Sequence, residues 1–260
     1  MKLSSLGGLI AAAALVALPL TAVAQDDDAP PGLASAWIFA PKTGMSAEFE
    51  AAVKEHVAKR AEAGDSRDWQ MYTPAVGDKM GIYTVRYCCF DWADQDAYDE
   101  EARNNDLGAH FNETVMPYVD HMHHYLERLD MENSAWPEES DHFKLFGVTS
   151  WIWEEDASME VDEVRKQFSQ AAIEHGWGDE NPWLWMNRIG GKPMLMLVSP
   201  YTDYADMAPP EQSFFEFMVE HTDMDEGDVA EMFETFGDGF ESSDYTVWAH
   251  RPDLSLPRKD

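Results

Sequence analysis

Basic residues, cysteines and catalytic signatures are all scarce in this chain. Of its 260 residues, 18 are Lys or Arg against 50 Asp or Glu, a formal charge of −32. Such a balance disfavours binding to nucleic acid or anionic lipid, because both partners carry the same sign. There is no G-x-S-x-G, H-E-x-x-H, glycine-rich phosphate loop or C-x-x-C-H. Their absence removes the usual support for a serine hydrolase of that type, a zincin, a nucleotide enzyme or a c-type cytochrome. The only two cysteines are neighbours, Cys88 and Cys89. On a strand they point to opposite faces, and a bond between neighbours demands unusual geometry, so two separate, mostly buried thiols are expected.

Long apolar runs are also missing after the N-terminus. There, Lys2 is followed by an apolar stretch from Leu9 to Leu20 and then Thr21-Ala22-Val23-Ala24. A charged start, a short apolar core and an A-x-A ending predict a secretory signal peptide over residues 1–24, cut near Ala24. The expected product is exported, periplasmic or secreted in a bacterium, with no membrane span left after cleavage. Residues 25–32, rich in Asp and Pro, read as a flexible acidic leader.

What is present is a plan that occurs twice. A strand around Trp37-Ile38-Phe39 precedes a helix that Ser46 can cap. Phe49, Ala52, Val53, His56 and Val57 share one face of that helix and Gly64 ends it. A strand pair over 69–76 and 79–90, an interrupted helical region and a closing strand near 121–130 follow. The order then returns: Trp151-Ile152-Trp153, a helix that Ser158 can cap and Gly176 ends, strands at Trp183 and Met194, a helical region over about 212–236, and a last strand near Tyr245. Trp37, Gly64, Trp69 and Lys79 lie 114, 112, 114 and 113 residues before Trp151, Gly176, Trp183 and Lys192. An internal duplication is expected. The units are placed at 33–133 and 143–260, with 134–142 as linker.

Each unit has the β-α-β-β-α-β order of the ferredoxin-like plan. Met194 to Val198 is apolar at every position, and Ile82 to Phe90 nearly so. Strands that bury both faces look like this. The expected fold class is therefore α+β, with two tandem ferredoxin-like units packed sheet to sheet as a pseudo-dimeric barrel inside one chain. The paired Trp37 and Trp151 strands, the Lys79 and Lys192 hairpins and the helices ending at Gly64 and Gly176 resemble the dimeric α+β barrel superfamily. That group includes small monooxygenases of the antibiotic-biosynthesis type and NIPSNAP-like proteins. The resemblance implies a range of roles, from cofactor-free oxygenases to haem-handling enzymes, and names none of them for this chain.

Candidate site residues follow from chemistry. His56, on the first helix, can donate a proton, ligate a metal or sit satisfied in the core. Trp69 and Trp183 can wall a flat, apolar pocket between helices and sheet. Arg86 interrupts an apolar strand and requires either a carboxylate partner or a bound anion. His121 and His123 share a strand face, as metal ligands or as a surface pair. The leading functional expectation is an exported binding protein for a small apolar or aromatic ligand, lined by His56, Trp69, Arg86 and Trp183. The alternatives are a barrel-type oxygenase, cofactor-independent or assisted by haem or metal, and a non-catalytic envelope protein.

Overall fold

Strands that are apolar on both faces need cover on both sides, and the chain supplies it by closing a barrel. The computed structural model describes residues 32–155 and 159–258. The expected signal peptide, the leader up to residue 31 and the expected helix cap Ser158 lie outside the described residues. Eight strands are present among them: β1 Leu33–Pro41, β2 Gln70–Val76, β3 Tyr83–Phe90, β4 Val119–Ala135, β5 Leu145–Trp153, β6 Trp183–Ile189, β7 Met194–Tyr201 and β8 Phe240–His250. They run β1-β3-β2-β8-β5-β7-β6-β4 around a closed barrel, every neighbour antiparallel. The halves thus share the strand orders β4-β1-β3-β2 and β8-β5-β7-β6, and they zip together at β2–β8 and β4–β6.

Helices cover the outside. They are α1 Ser46–Ala63, α2 Trp92–Asn104, α3 Leu107–Thr114, α4 Met159–Glu174, the single turn α5 Trp177–Glu180, α6 Phe214–His221 and α7 Glu226–Asp238. On β7, Leu195 and Leu197 pack outward with Trp151, Trp183 and Trp185, while Met196 and Val198 pack inward with Leu184 and Met186. This two-sided demand is why the run from Met194 to Val198 has no polar position. On β1, Phe39 turns outward onto Phe49 and Val53 of α1, and Ala36 and Ile38 face the lumen. Gly64 ends α1 in the left-handed region at φ 70°, where a side chain is disfavoured.

Three local expectations are corrected. Ser46 is the first residue of α1 rather than its cap; Met45 holds the cap position, with no side-chain hydrogen bond. Strand β4 runs on through Asn133 and Ser134 to Ala135, because Asp130 accepts hydrogen bonds from the Asn133 side chain and its backbone carbonyl accepts one from Ser134 Oγ. Cys88 and Cys89 are not separate buried thiols. They are bonded to each other across a cis peptide, and both are exposed at the rim of the lumen, so strand alternation fails at this pair.

Candidate functional site

Two cavities stand out, one outside the barrel wall and one inside it. The outer cavity, about 570 Å³, lies in the second half between β5, β6 and β7 and the helices α4, α5, α6 and α7. Its walls are aromatic: Trp151, Trp183 and Trp185 from the strands, and Phe168, Phe214 and Phe236 from the helices. Each tryptophan that carries a buried N–H has an acceptor, as burial of that group requires. Trp183 Nε1 donates to the Asn133 carbonyl at 2.9 Å, and Trp185 Nε1 donates to Ser169 Oγ at 2.9 Å. The Trp185 backbone N–H donates to Ser134 Oγ at 2.9 Å. The far end of β4 therefore positions two walls of the cavity. At its rim stand Asp179, Glu180 and Asp206, and among the described residues no Lys, Arg or His lines it.

Behind Trp185 sits Arg165, 2 % exposed and stacked over the indole at 5.3 Å. It donates to Asp130 Oδ2 of β4 at 2.7 Å and to Asp162 Oδ1 at 2.9 Å. Sequence reasoning missed Arg165. Its only cue is a cation beside Val164 on an apolar helix face.

The matching space of the first half is filled by a polar network. Arg60 Nε donates to His56 Nε2 at 2.8 Å, and His56 Nδ1 meets His110 Nδ1 at 3.1 Å. Burial, then the charges of Arg60 and His110, push the His56 pKa down to about 3. Trp69 Nε1 donates to the Tyr98 hydroxyl at 2.8 Å, and that hydroxyl donates to Asp65 at 3.2 Å. Arg60 also binds Asp65, at 2.5 Å. Arg67 lies over Tyr98 at 3.9 Å and Phe90 at 4.2 Å. Burial lowers the Arg67 pKa and raises that of Tyr98. His56 and Trp69 belong to this network and line neither cavity; of the four expected pocket residues, only Trp183 lines the outer one.

The barrel lumen encloses about 670 Å³. Arg86 points into it rather than toward the helices and pairs with Glu127, Nε to Oε2 at 3.0 Å. Burial opposes the Arg86 charge, but the Glu127 carboxylate outweighs it and holds the pKa up. A carboxylate partner, not a bound anion, thus answers Arg86. His121 and His123 share the lumen face as the strand period dictates, while His124 stacks on Trp37 on the other side at 4.0 Å. His121 Nδ1 pairs with Asp120 at 2.9 Å, and no group of three or more His, Cys, Asp or Glu suited to a metal ion occurs among the described residues. No described helix is long and apolar enough to cross a membrane.

The chain folds as a closed eight-stranded antiparallel barrel with helices outside, and in this it resembles the dimeric α+β barrel proteins. No family model and no curated protein matches the sequence. Among solved structures, it is similar to a candidate monooxygenase from Fusobacterium nucleatum, with a TM-score of 0.54 and 10 % identity over 85 % of this chain and 93 % of that one. It is also similar to a candidate monooxygenase from Lactobacillus acidophilus, at 0.51 and 7 % over 87 % and 96 %. A mutant chlorite dismutase from Candidatus Nitrospira defluvii gives 0.50 and 8 % over 87 % and 94 %. Identities this low establish the fold alone.

Haem, which the barrel resemblance brings into question, fits the outer cavity poorly. Among the described residues its lining offers no His or Cys as axial ligand, only Tyr201 and Met207, and its rim sets Asp179, Glu180 and Asp206 against the haem propionates. His56 cannot serve in the first half, because Arg60 occupies its Nε2.

Proposed function

We propose that the chain is an exported, tandemly duplicated ferredoxin-like barrel that binds a flat, apolar or aromatic small molecule in the outer cavity of its second half. The observation that carries this reading is the aromatic wall of Trp151, Trp183, Trp185, Phe168, Phe214 and Phe236 around about 570 Å³. Apolar and aromatic linings with few polar groups are what such ligands require. A rim of carboxylates without a cation selects neutral or positively charged ligands. The equal strand orders and the offsets of 112 to 114 residues between Gly64 and Gly176 or Trp69 and Trp183 support duplication.

Binding of 2-methylnaphthalene and of 2-naphthylmethylammonium, followed by tryptophan quenching, tests the reading. Ala172→Trp fills the cavity from α4 and is expected to weaken both at least ~10-fold, the scale of losing about 1.4 kcal/mol of contact. Equal binding by the wild type and this variant, with melting curves alike, would exclude the outer cavity as the site.

A second reading, a barrel oxygenase, draws support from neighbours described as monooxygenases. It requires a base in reach of the ligand, and the ionisable groups lining the outer cavity are Asp179, Glu180, Asp206 and Tyr201. Oxygen uptake that starts on adding a bound aromatic ligand and stops in Asp206→Asn would favour it over binding alone.

A further inference from the structure

The lumen reverses the charge balance of the molecule. The chain carries 50 acidic and 18 basic residues, yet Lys79, Arg86, Arg188 and Arg258 line the lumen against Asp68, Glu127 and Asp141. Three of these bases have carboxylate partners: Lys79 with Asp244, Arg86 with Glu127, and Arg258 with Asp141. Arg188 is the exception. Among the described residues no carboxylate forms an ion pair with it, and its Nε is buried without a hydrogen-bond acceptor. Glu127 stands opposite it across the β4–β6 ladder, but Arg86 already holds that carboxylate. Burial lowers the Arg188 pKa, the mark of a desolvated cation. Its guanidinium lies 4.2 Å from the centre of the Tyr125 ring. Tyr125 in turn stacks with His123 at 6.0 Å, and His123 meets His121 at 5.7 Å. These three β4 residues form one wall leading to Arg188, while Ile38, Phe146 and Met194 supply apolar surface around the same space.

A half-buried guanidinium that lines a cavity without a carboxylate partner favours an anion, and its outer fork matches a carboxylate. We propose that the barrel lumen is a second binding site, for a small organic carboxylate whose charge is taken by Arg188 and whose body lies against the apolar wall. This site is separate from the outer cavity and does not depend on what binds there.

Titration calorimetry of the full exported chain with benzoate, against benzylammonium as the opposite charge, tests it. Benzoate is expected to bind. Arg188→Gln should weaken it at least ~10-fold, Arg188→Lys several-fold, the scale on which bidentate charge-assisted bonds act. Ala172→Trp, in the outer cavity, should leave it unchanged. If Arg188→Gln does not fold, Ile38→Trp narrows the lumen without touching Arg188 and should abolish the signal. The proposal is overturned if the wild type takes up no benzoate, if both lumen variants bind it as the wild type does, or if Ala172→Trp alone removes binding.

Discussion

Asp130→Ala is expected to lower the stability of the barrel by about 3–5 kcal/mol, the range for removing one partner of a buried pair. The cost arises on the other side of the contact. Arg165 is 2 % exposed, and its Nη1 already lacks a hydrogen-bond partner. Without Asp130 it keeps only Asp162, a half-exposed carboxylate on its own helix. The same carboxylate holds the Asn133 side chain at 2.9 Å, and the Asn133 carbonyl holds Trp183. Ligand affinity at the outer cavity should therefore fall together with stability. Arg165→Met, which removes the charge and keeps the bulk beside Trp185, should cost less, since the carboxylate it leaves behind, Asp130, is 21 % exposed and still accepts from Asn133. Urea midpoints at constant m-value give both numbers. A loss under about 1 kcal/mol in Asp130→Ala would mean that water reaches Arg165 and that the pair is a surface one.

The contrast between Asp130 and the rest of the chain shows what a linear reading carries. Elements were legible because their signals are local: the two-sided apolar run from Met194 to Val198, the αL glycines Gly64 and Gly176, and the repeated Trp-Ile strand centres. The role of Trp69 was not, although it stands at the same place in its half as Trp183. Trp69 meets Tyr98, Arg60 and Arg67, while Trp183 meets an open space walled by Phe214 and Phe236. Those partners come from α1, the loop after it and the second helical regions, and no spacing rule fixes which of them fill a void. Arg165 and Asp130 are 35 residues apart and in different halves, so only the closed barrel brings them together. Arg86 was legible as an anomaly, and so was its need for a partner. The identity of that partner, Glu127, depends on a register in β4 that the sequence does not reveal.

The largest pH effect should come from His56. Its pKa falls from 6.5 to about 3 on folding, because burial and the neighbouring Arg60 oppose a second charge. A depressed folded pKa means that the unfolded chain binds the proton first. The stabilising contribution is complete above pH 6.5 and is lost as the pH falls toward 3. Between pH 7 and pH 4 the wild type should lose about 3 kcal/mol relative to His56→Gln, which has no group to protonate. Carboxylates with depressed pKa values, Glu50 held by Arg251 and Asp253 held by the same arginine, also lose stability on acidification. They are common to both proteins and cancel in the difference. Parallel stability curves across this range would place His56 in contact with solvent and break the network drawn around it. The outcome also bears on chemistry. A histidine that stays neutral down to about pH 3, with Nε2 accepting from Arg60 and its Nδ1–H directed at His110, is not an imidazolium acid at neutral pH and has no free lone pair to act as a base. A slope difference of the expected size would therefore take His56 out of any acid–base role.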